Sequence, residues 1–157
     1  MLNIPQQLTE QLKTVSEQLN QHTQDLNDSF LDVEKKLVSM RLGVSAWCSA
    51  VIGVKEEDRS GYKFGFCRIN SDWRLVCRKV CLDDISDYDI TVKIGYGLLK
   101  PINVMPRSVR LEASKLIEDL VSEIIRKAQE YVDDVNVAVS DIERQSKNTL
   151  TEDLDNA

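Results

Sequence analysis

The feature that most constrains the fold is a central stretch, residues 44–99, where aromatic and β-branched residues alternate with polar ones between two long segments of helical periodicity. Four such runs are separated by short polar connections, a pattern typical of strands. The runs are residues 44–54, 62–70, 73–82 and 89–99. Connections this short favour antiparallel neighbours, because a parallel crossover needs about a dozen residues or more. The stretch is therefore predicted to form a four-stranded antiparallel β-meander.

Side chains alternate between the two faces of a strand, so the sequence also assigns faces to the predicted sheet. With a two-residue turn at Ser71-Asp72, Phe66 lies opposite Cys77, and the aromatic residues of both strands share one face as the core. The other face carries basic residues from three strands, namely Lys63, Arg74, Arg78 and Lys93.

The flanking segments predict two long helices. In residues 3–43 the apolar side chains recur in the alternating four–three spacing of a coiled-coil seam; these are Leu8, Leu12, Val15 and Leu19, and His22 and Leu26 continue the series. Residues 106–147 carry a broader apolar stripe. Each segment breaks phase once, at Leu26 and near Ile124, and matching breaks are expected of helices that pack on each other. We therefore expect an antiparallel, coiled-coil-like pair with Leu26 opposite Ile124.

These elements predict an α+β fold: a long N-terminal helix, a four-stranded antiparallel β-meander and a long C-terminal helix. The chain of 157 residues fits one domain. We expect that domain to span residues 1–147, with helices at 3–43 and 106–147 and the meander at 44–99, followed by a flexible acidic tail at 148–157. The surplus apolar width of the second helix predicts a homo-oligomer.

Charge and hydropathy bound the class of partner. The formal net charge is −6, yet residues 59–80 carry six basic side chains against Asp72 alone. The acidic whole makes nucleic acid an unlikely partner, whereas the local basic patch leaves room for a small anionic ligand. No apolar run reaches the roughly 18–20 residues that cross a bilayer, and the N-terminus lacks a signal sequence. We expect a cytoplasmic protein with no membrane partner.

Familiar catalytic and metal chemistries find little support. His22 is the single histidine and lies on the helical seam, far from any nucleophile cluster, so the chain is predicted not to be an enzyme. The cysteines at 48, 67, 77 and 81 lack metal-ligand spacing and are interpreted as small buried apolar residues. Asp83, Asp84, Asp87 and Asp89 are more typical of an acidic turn than of a cation site. No cofactor is predicted.

Lys63, Arg74, Arg78 and Lys93 are the strongest candidate site residues. Arginine can grip a phosphate through two hydrogen bonds, so this face could bind an anion. The competing interpretation, which we favour, is a solvated face or one paired with Glu112, Glu118 or Asp119 of the second helix. The sequence thus favours a non-enzymatic, self-associating interaction or regulatory protein that oligomerises through its helices and contacts a protein partner through its sheet. The alternative is a module that captures a phosphate-bearing small molecule or nucleotide on the cationic face.

Overall fold

A computed structural model describes residues 3–83, 91–93 and 99–155, with residues 83 and 91–93 described by their backbone alone. The elements in chain order are α1 (Gln6–Ser39), β1 (Ala46–Lys55), β2 (Ser60–Ile69), β3 (Asp72–Asp83), β4 (Thr91–Lys93), β5 (Leu99–Pro101), a short 3₁₀ helix (Ile102–Val104), α2 (Arg107–Ser114) and α3 (Ile117–Asp155). The predicted α+β architecture, with a long helix on each side of an antiparallel sheet, is confirmed.

The sheet is an antiparallel meander in the order β1-β2-β3, and both β4 and β5 pair with the outer edge of β3. β4 lies opposite residues 81–83 and β5 opposite residues 76–78. The two short strands thus share the position of the single fourth strand that the sequence predicts. Residues 89–90 and 94–98 of that predicted run lie outside the described residues.

The turn between β2 and β3 lies one residue earlier than predicted. Asn70 and Ser71, rather than Ser71 and Asp72, occupy the two turn positions, and both have positive φ, as a type I′ hairpin turn requires. Asparagine tolerates that conformation better than most residues, which favours the earlier turn. Phe66 therefore pairs with Leu75 instead of Cys77. Because this register differs by two residues, the predicted assignment of side chains to faces still holds.

The core lies on one face of the sheet, where α1 and α3 cover it. Phe64 and Leu75 of the sheet are fully buried, as is Leu120 of α3. Phe30 of α1 meets Phe64 edge to face, with ring centroids 6.2 Å apart. The aromatic face predicted from alternation is thus the buried one, and each long helix contributes only part of its length to it.

The second helical segment is divided. α2 ends at Ser114 and α3 begins at Ile117, where the sequence predicts one helix over 106–147. α2 docks on β1 where Gly53 adopts a φ of +59° and donates its backbone N–H to Glu112 Oε2 at 2.7 Å. α3 then continues to Asp155, beyond the predicted end at 147. Residues 148–155 are helical, and the flexibility of this tail stays a prediction.

The antiparallel pairing of the two long helices is not confirmed. Arg110 of α2 donates to Asn27 of α1 at 2.6 Å, so the middle of α1 lies beside the element that precedes α3. Arg41 and Leu42, which follow α1, instead share a groove with Ala128 and Tyr131 of α3. These contacts make α1 and α3 run in the same general direction across the sheet. Only the first part of the apolar stripe of α3, which includes Leu120 and Ile124, is buried in the core beneath the sheet, where the sequence predicted a pairing with α1.

Candidate functional site

By strand alternation three of the four predicted site residues belong to the sheet face opposite the core, although the side chain of Arg74 turns toward α1. Lys63 of β2 and Arg78 of β3 are directly paired, and Arg74 lies four residues before Arg78 on the same strand face. The backbone of Lys93 pairs with Cys81, and its side chain lies outside the described residues. The structure therefore pairs Lys63 directly with Arg78, on the face that the sequence assigned to both.

The neighbourhood of Arg78 is aromatic. Its guanidinium carbon lies 4.4 Å from the ring centroid of Trp47, a cation–π contact between β3 and β1. Trp47 is paired with Gly65, where a Cβ atom would collide with the indole ring. Glycine at this position is thus what lets the indole lie flat on the sheet. Val76 and Val80 beside it are buried, so this face is partly apolar and is not simply a solvated cationic surface.

Arg74 is engaged by α1. Its Nε donates to Glu34 Oε1 at 3.0 Å, and the backbone N–H of Leu75 donates to Glu34 Oε2 at 2.8 Å. The Glu34 side chain is 11% exposed, so this ion pair is well shielded from solvent. The acidic partner therefore comes from the first helix, whereas the sequence analysis considered acids of the second. Glu34 was missed because nothing local to α1 shows that it faces a strand edge.

A cavity of about 270 Å³ adjoins this ion pair, between α1, β3 and the 3₁₀ helix. Its polar lining includes the amides of Asn27 and Asn103 and the carboxylates of Asp28 and Glu34. The positive charge of Arg74 is balanced by Glu34, and Asp28 adds a further negative charge. The cavity is therefore poorly suited to a phosphate group.

Three of the four cysteines behave as buried apolar residues, as predicted, but Cys81 is exposed. Burial, with smaller contributions from Asp119 and Glu123, raises the pKa of Cys48 to about 11. Burial, with a smaller contribution from nearby Cys48, also raises the pKa of Cys77 to about 12. These thiols stay protonated at neutral pH and are poor nucleophiles or metal ligands. Within the described part of the chain, no group of His, Cys, Asp and Glu side chains is arranged to hold a metal ion.

Within the described part of the chain, two long series of exposed apolar residues lie on the helices. We define the α1 arm as residues 6–22 and the α3 arm as residues 129–155. Every residue of the α1 arm is exposed, including the predicted seam, where Leu8, Leu12, Val15 and Leu19 are 49%, 61%, 57% and 44% exposed. The α3 arm exposes an apolar series that contains Tyr131, Val132, Val135, Val139, Ile142, Leu150 and Leu154.

The two arms extend from opposite ends of the folded body, because α1 and α3 run in the same direction and only the end of α1 and the start of α3 contact the sheet. They also differ in charge. The α1 arm carries Glu10, Lys13 and Glu17, whereas the α3 arm carries eight acidic and two basic side chains. One arm is nearly neutral and the other strongly acidic.

Comparison with known proteins gives no relative: no family model, curated protein or solved structure matches the chain. Among the described residues, no helix has both the length and the apolar character needed to cross a membrane. Any functional conclusion must therefore rest on the surfaces themselves.

Proposed function

We propose that this chain is a non-enzymatic, self-associating interaction protein that oligomerises through its helical arms and presents the outer face of its sheet to a protein partner. The observation that carries the proposal is the exposed seam of the α1 arm. Spaced apolar residues of this kind are the contact surface of helices that pack side by side. None of the described residues of the chain buries them.

The low stability that an isolated α1 arm would have in water supports the same proposal. A helical segment of this length is marginal on its own in water, and most helical stability in proteins comes from packing of an apolar face. The outer face of the arm is rich in Gln, Asn, Ser and Thr rather than in strong helix formers. A continuous helix from Gln6 therefore needs a packing partner along the seam.

The sheet face supports the second half of the proposal. Trp47 and Arg78 are stacked there, with Lys63 beside them. Tryptophan and arginine are the side chains most enriched in the energetic centres of protein interfaces. The positive charge of this patch favours an acidic protein surface as the partner. We place the protein in the cytoplasm, since none of its four cysteines is in a disulfide.

The alternative function, capture of a phosphate-bearing ligand, retains one observation in its favour, the pairing of Lys63 with Arg78. The ion pair of Arg74 with Glu34 weakens it, because that guanidinium is already neutralised. Titration calorimetry with inorganic phosphate separates the two functions. Binding that is lost in the double variant Lys63→Glu, Arg78→Glu would favour the alternative, whereas no heat of binding is expected here.

Self-association is tested by native mass spectrometry and light scattering. We expect the wild-type protein to be an oligomer, and the double variant Leu12→Glu, Leu19→Glu to dissociate roughly a hundredfold more readily, because the buried seam would then contain unpaired charges. Glutamate is about as good a helix former as leucine, so the arm itself keeps its propensity. Asn20→Glu, on the outer face of the same arm, is the matched control and should leave the oligomer intact. A monomeric wild-type protein at high micromolar concentration would refute the proposal.

A further inference from the structure

The spacing of the apolar residues in the seam of the α1 arm is the same in both directions along the helix. Leu8, Leu12, Val15 and Leu19 are separated by four, three and four residues. If two such arms pack antiparallel about a point between residues 13 and 14, Leu8 faces the partner's Leu19 and Leu12 faces the partner's Val15. Every apolar residue of the seam then meets another, as a two-fold symmetric interface requires.

Charge favours this pairing over the other combinations. The positions that flank the seam are Thr9, Gln11, Ser16 and Gln18, all uncharged, and the charged residues of the arm lie on its outer face. Two α1 arms therefore meet without repulsion between like charges. In the α3 arm, Asp134 and Asp141 lie directly beside the apolar residues, and the arm as a whole is strongly acidic. Two α3 arms would repel each other.

The space occupied by the sheet determines the direction in which two α1 arms can pair. At about 100° per residue, the seam of the arm lies on the same side of α1 as Leu26, Phe30 and Leu37, within an arc of about 60°. Those three residues pack against the core. A partner helix parallel to the arm would continue past residue 22 into the space that the sheet occupies.

An antiparallel partner avoids that collision. Its helix begins at Gln6, which the two-fold arrangement places opposite Gln21, just before Leu26 starts to contact the core. The exposed part of α1 is therefore about as long as the stretch of partner helix that packs along it.

We infer that the α1 arm binds the α1 arm of a second copy of this chain, antiparallel, with the two-fold axis between Lys13 and Thr14. This inference rests on the proposed function and specifies its partner. The two bodies then lie at opposite ends of the paired arms. Glu34, where α1 contacts the sheet, is about 20 residues from the axis, which is roughly 30 Å along the helix. The two folded bodies are therefore separated by roughly 60 Å. Both α3 arms point outward.

Disulfide mapping tests the geometry directly. The variant Leu8→Cys, Leu19→Cys is made in a Cys81→Ser background, which removes the exposed native thiol. After oxidation, cleavage at Lys13 separates the peptides that contain the two new cysteines. We expect a covalent dimer in which position 8 is bonded to position 19, and no covalent dimer from either single variant. Bonds of 8 to 8 and of 19 to 19 would show a parallel pair and overturn the inference.

The failure of this inference can be distinguished from the failure of self-association. A wild-type oligomer whose arms give no 8-to-19 bond would overturn the antiparallel pairing but leave the proposed function standing, whereas a wild-type monomer would refute both. Small-angle X-ray scattering of the unmodified protein provides the second measurement. The pair-distance distribution should have a second maximum near 60 Å, and a single compact peak would contradict the arrangement.

Discussion

The body of this protein, which is the sheet with the helical segments packed on it, has a buried apolar core, whereas the α1 and α3 arms expose their apolar residues. In the body, the sheet and the adjoining parts of the helices share one core of buried apolar side chains, and charged groups find internal partners, as Arg74 does in Glu34 and Arg78 does over Trp47. In the α1 arm the same kind of periodicity leaves its leucines about half exposed. A regular apolar pattern thus predicts a contact surface but does not predict whether the contact is within the chain.

The largest effect expected from this contrast is the difference in unfolding free energy between two substitutions that shorten an apolar side chain. Phe64→Ala should lower the free energy of unfolding by about 3–5 kcal/mol, because it leaves a cavity in a fully buried site. Leu12→Ala, at a protein concentration where the chain is monomeric, should change it by less than about 0.5 kcal/mol. Urea denaturation measures both. Equal losses would mean that the arm packs within its own chain.

A smaller effect is expected at the ion pair between α1 and β3. Glu34→Gln keeps the size of the side chain but removes the charge that Arg74 and the N–H of Leu75 bind. We expect a loss of about 1–3 kcal/mol in the free energy of unfolding.

The control for this prediction is Glu17→Gln, in the exposed arm, which should change the free energy by no more than about 0.5 kcal/mol. Arg74→Met added to Glu34→Gln should cost little more than Glu34→Gln alone, since the two side chains act together. Strictly additive losses would argue against the pairing.

The smallest effect concerns the buried thiols at alkaline pH. Burial raises the pKa of Cys77 to about 12 in the folded state, whereas the pKa of the thiol in the unfolded chain is near its ordinary value of 9.0. Below pH 9 both states keep the proton. Above it the unfolded state releases the proton first, so stability falls by up to about 1.4 kcal/mol per pH unit for this thiol.

Urea denaturation at pH 8, 9 and 10 measures that slope. Cys77→Ala should make it shallower, whereas Cys81→Ala, at an exposed position, should leave it unchanged. An unaltered slope in Cys77→Ala would show that other groups control the alkaline transition.

The sequence predicted the elements well because each has a strong local signal. Alternation located the core face of β2 and β3, and even the misplaced turn preserved it, since a slip of two residues keeps each side chain on its side. The choice of Asn70 and Ser71 for the turn depends on which residues adopt positive φ, and the sequence offered two adjacent candidates.

The relations between distant elements were harder to predict. The direction of α3 relative to α1 depends on α2, which docks through Glu112 on Gly53 and so determines where α3 begins. The partner of Arg74 likewise depends on how α1 crosses the sheet. Of the candidate site, the sequence therefore placed Lys63 and Arg78 on one sheet face but could not show that they are directly paired or that Arg74 is bound to Glu34.

The position of Glu34 also bears on which kind of assembly the protein can form. β3 extends beyond β5, so residues 72–75 form an edge with no strand beside it among the described residues. Such an edge is a template on which strands of other molecules can pair and aggregate. Glu34 occupies the N–H of Leu75 with a charged carboxylate at that edge. One buried acid on a helix thus opposes the addition of a strand from another molecule at this edge of the sheet.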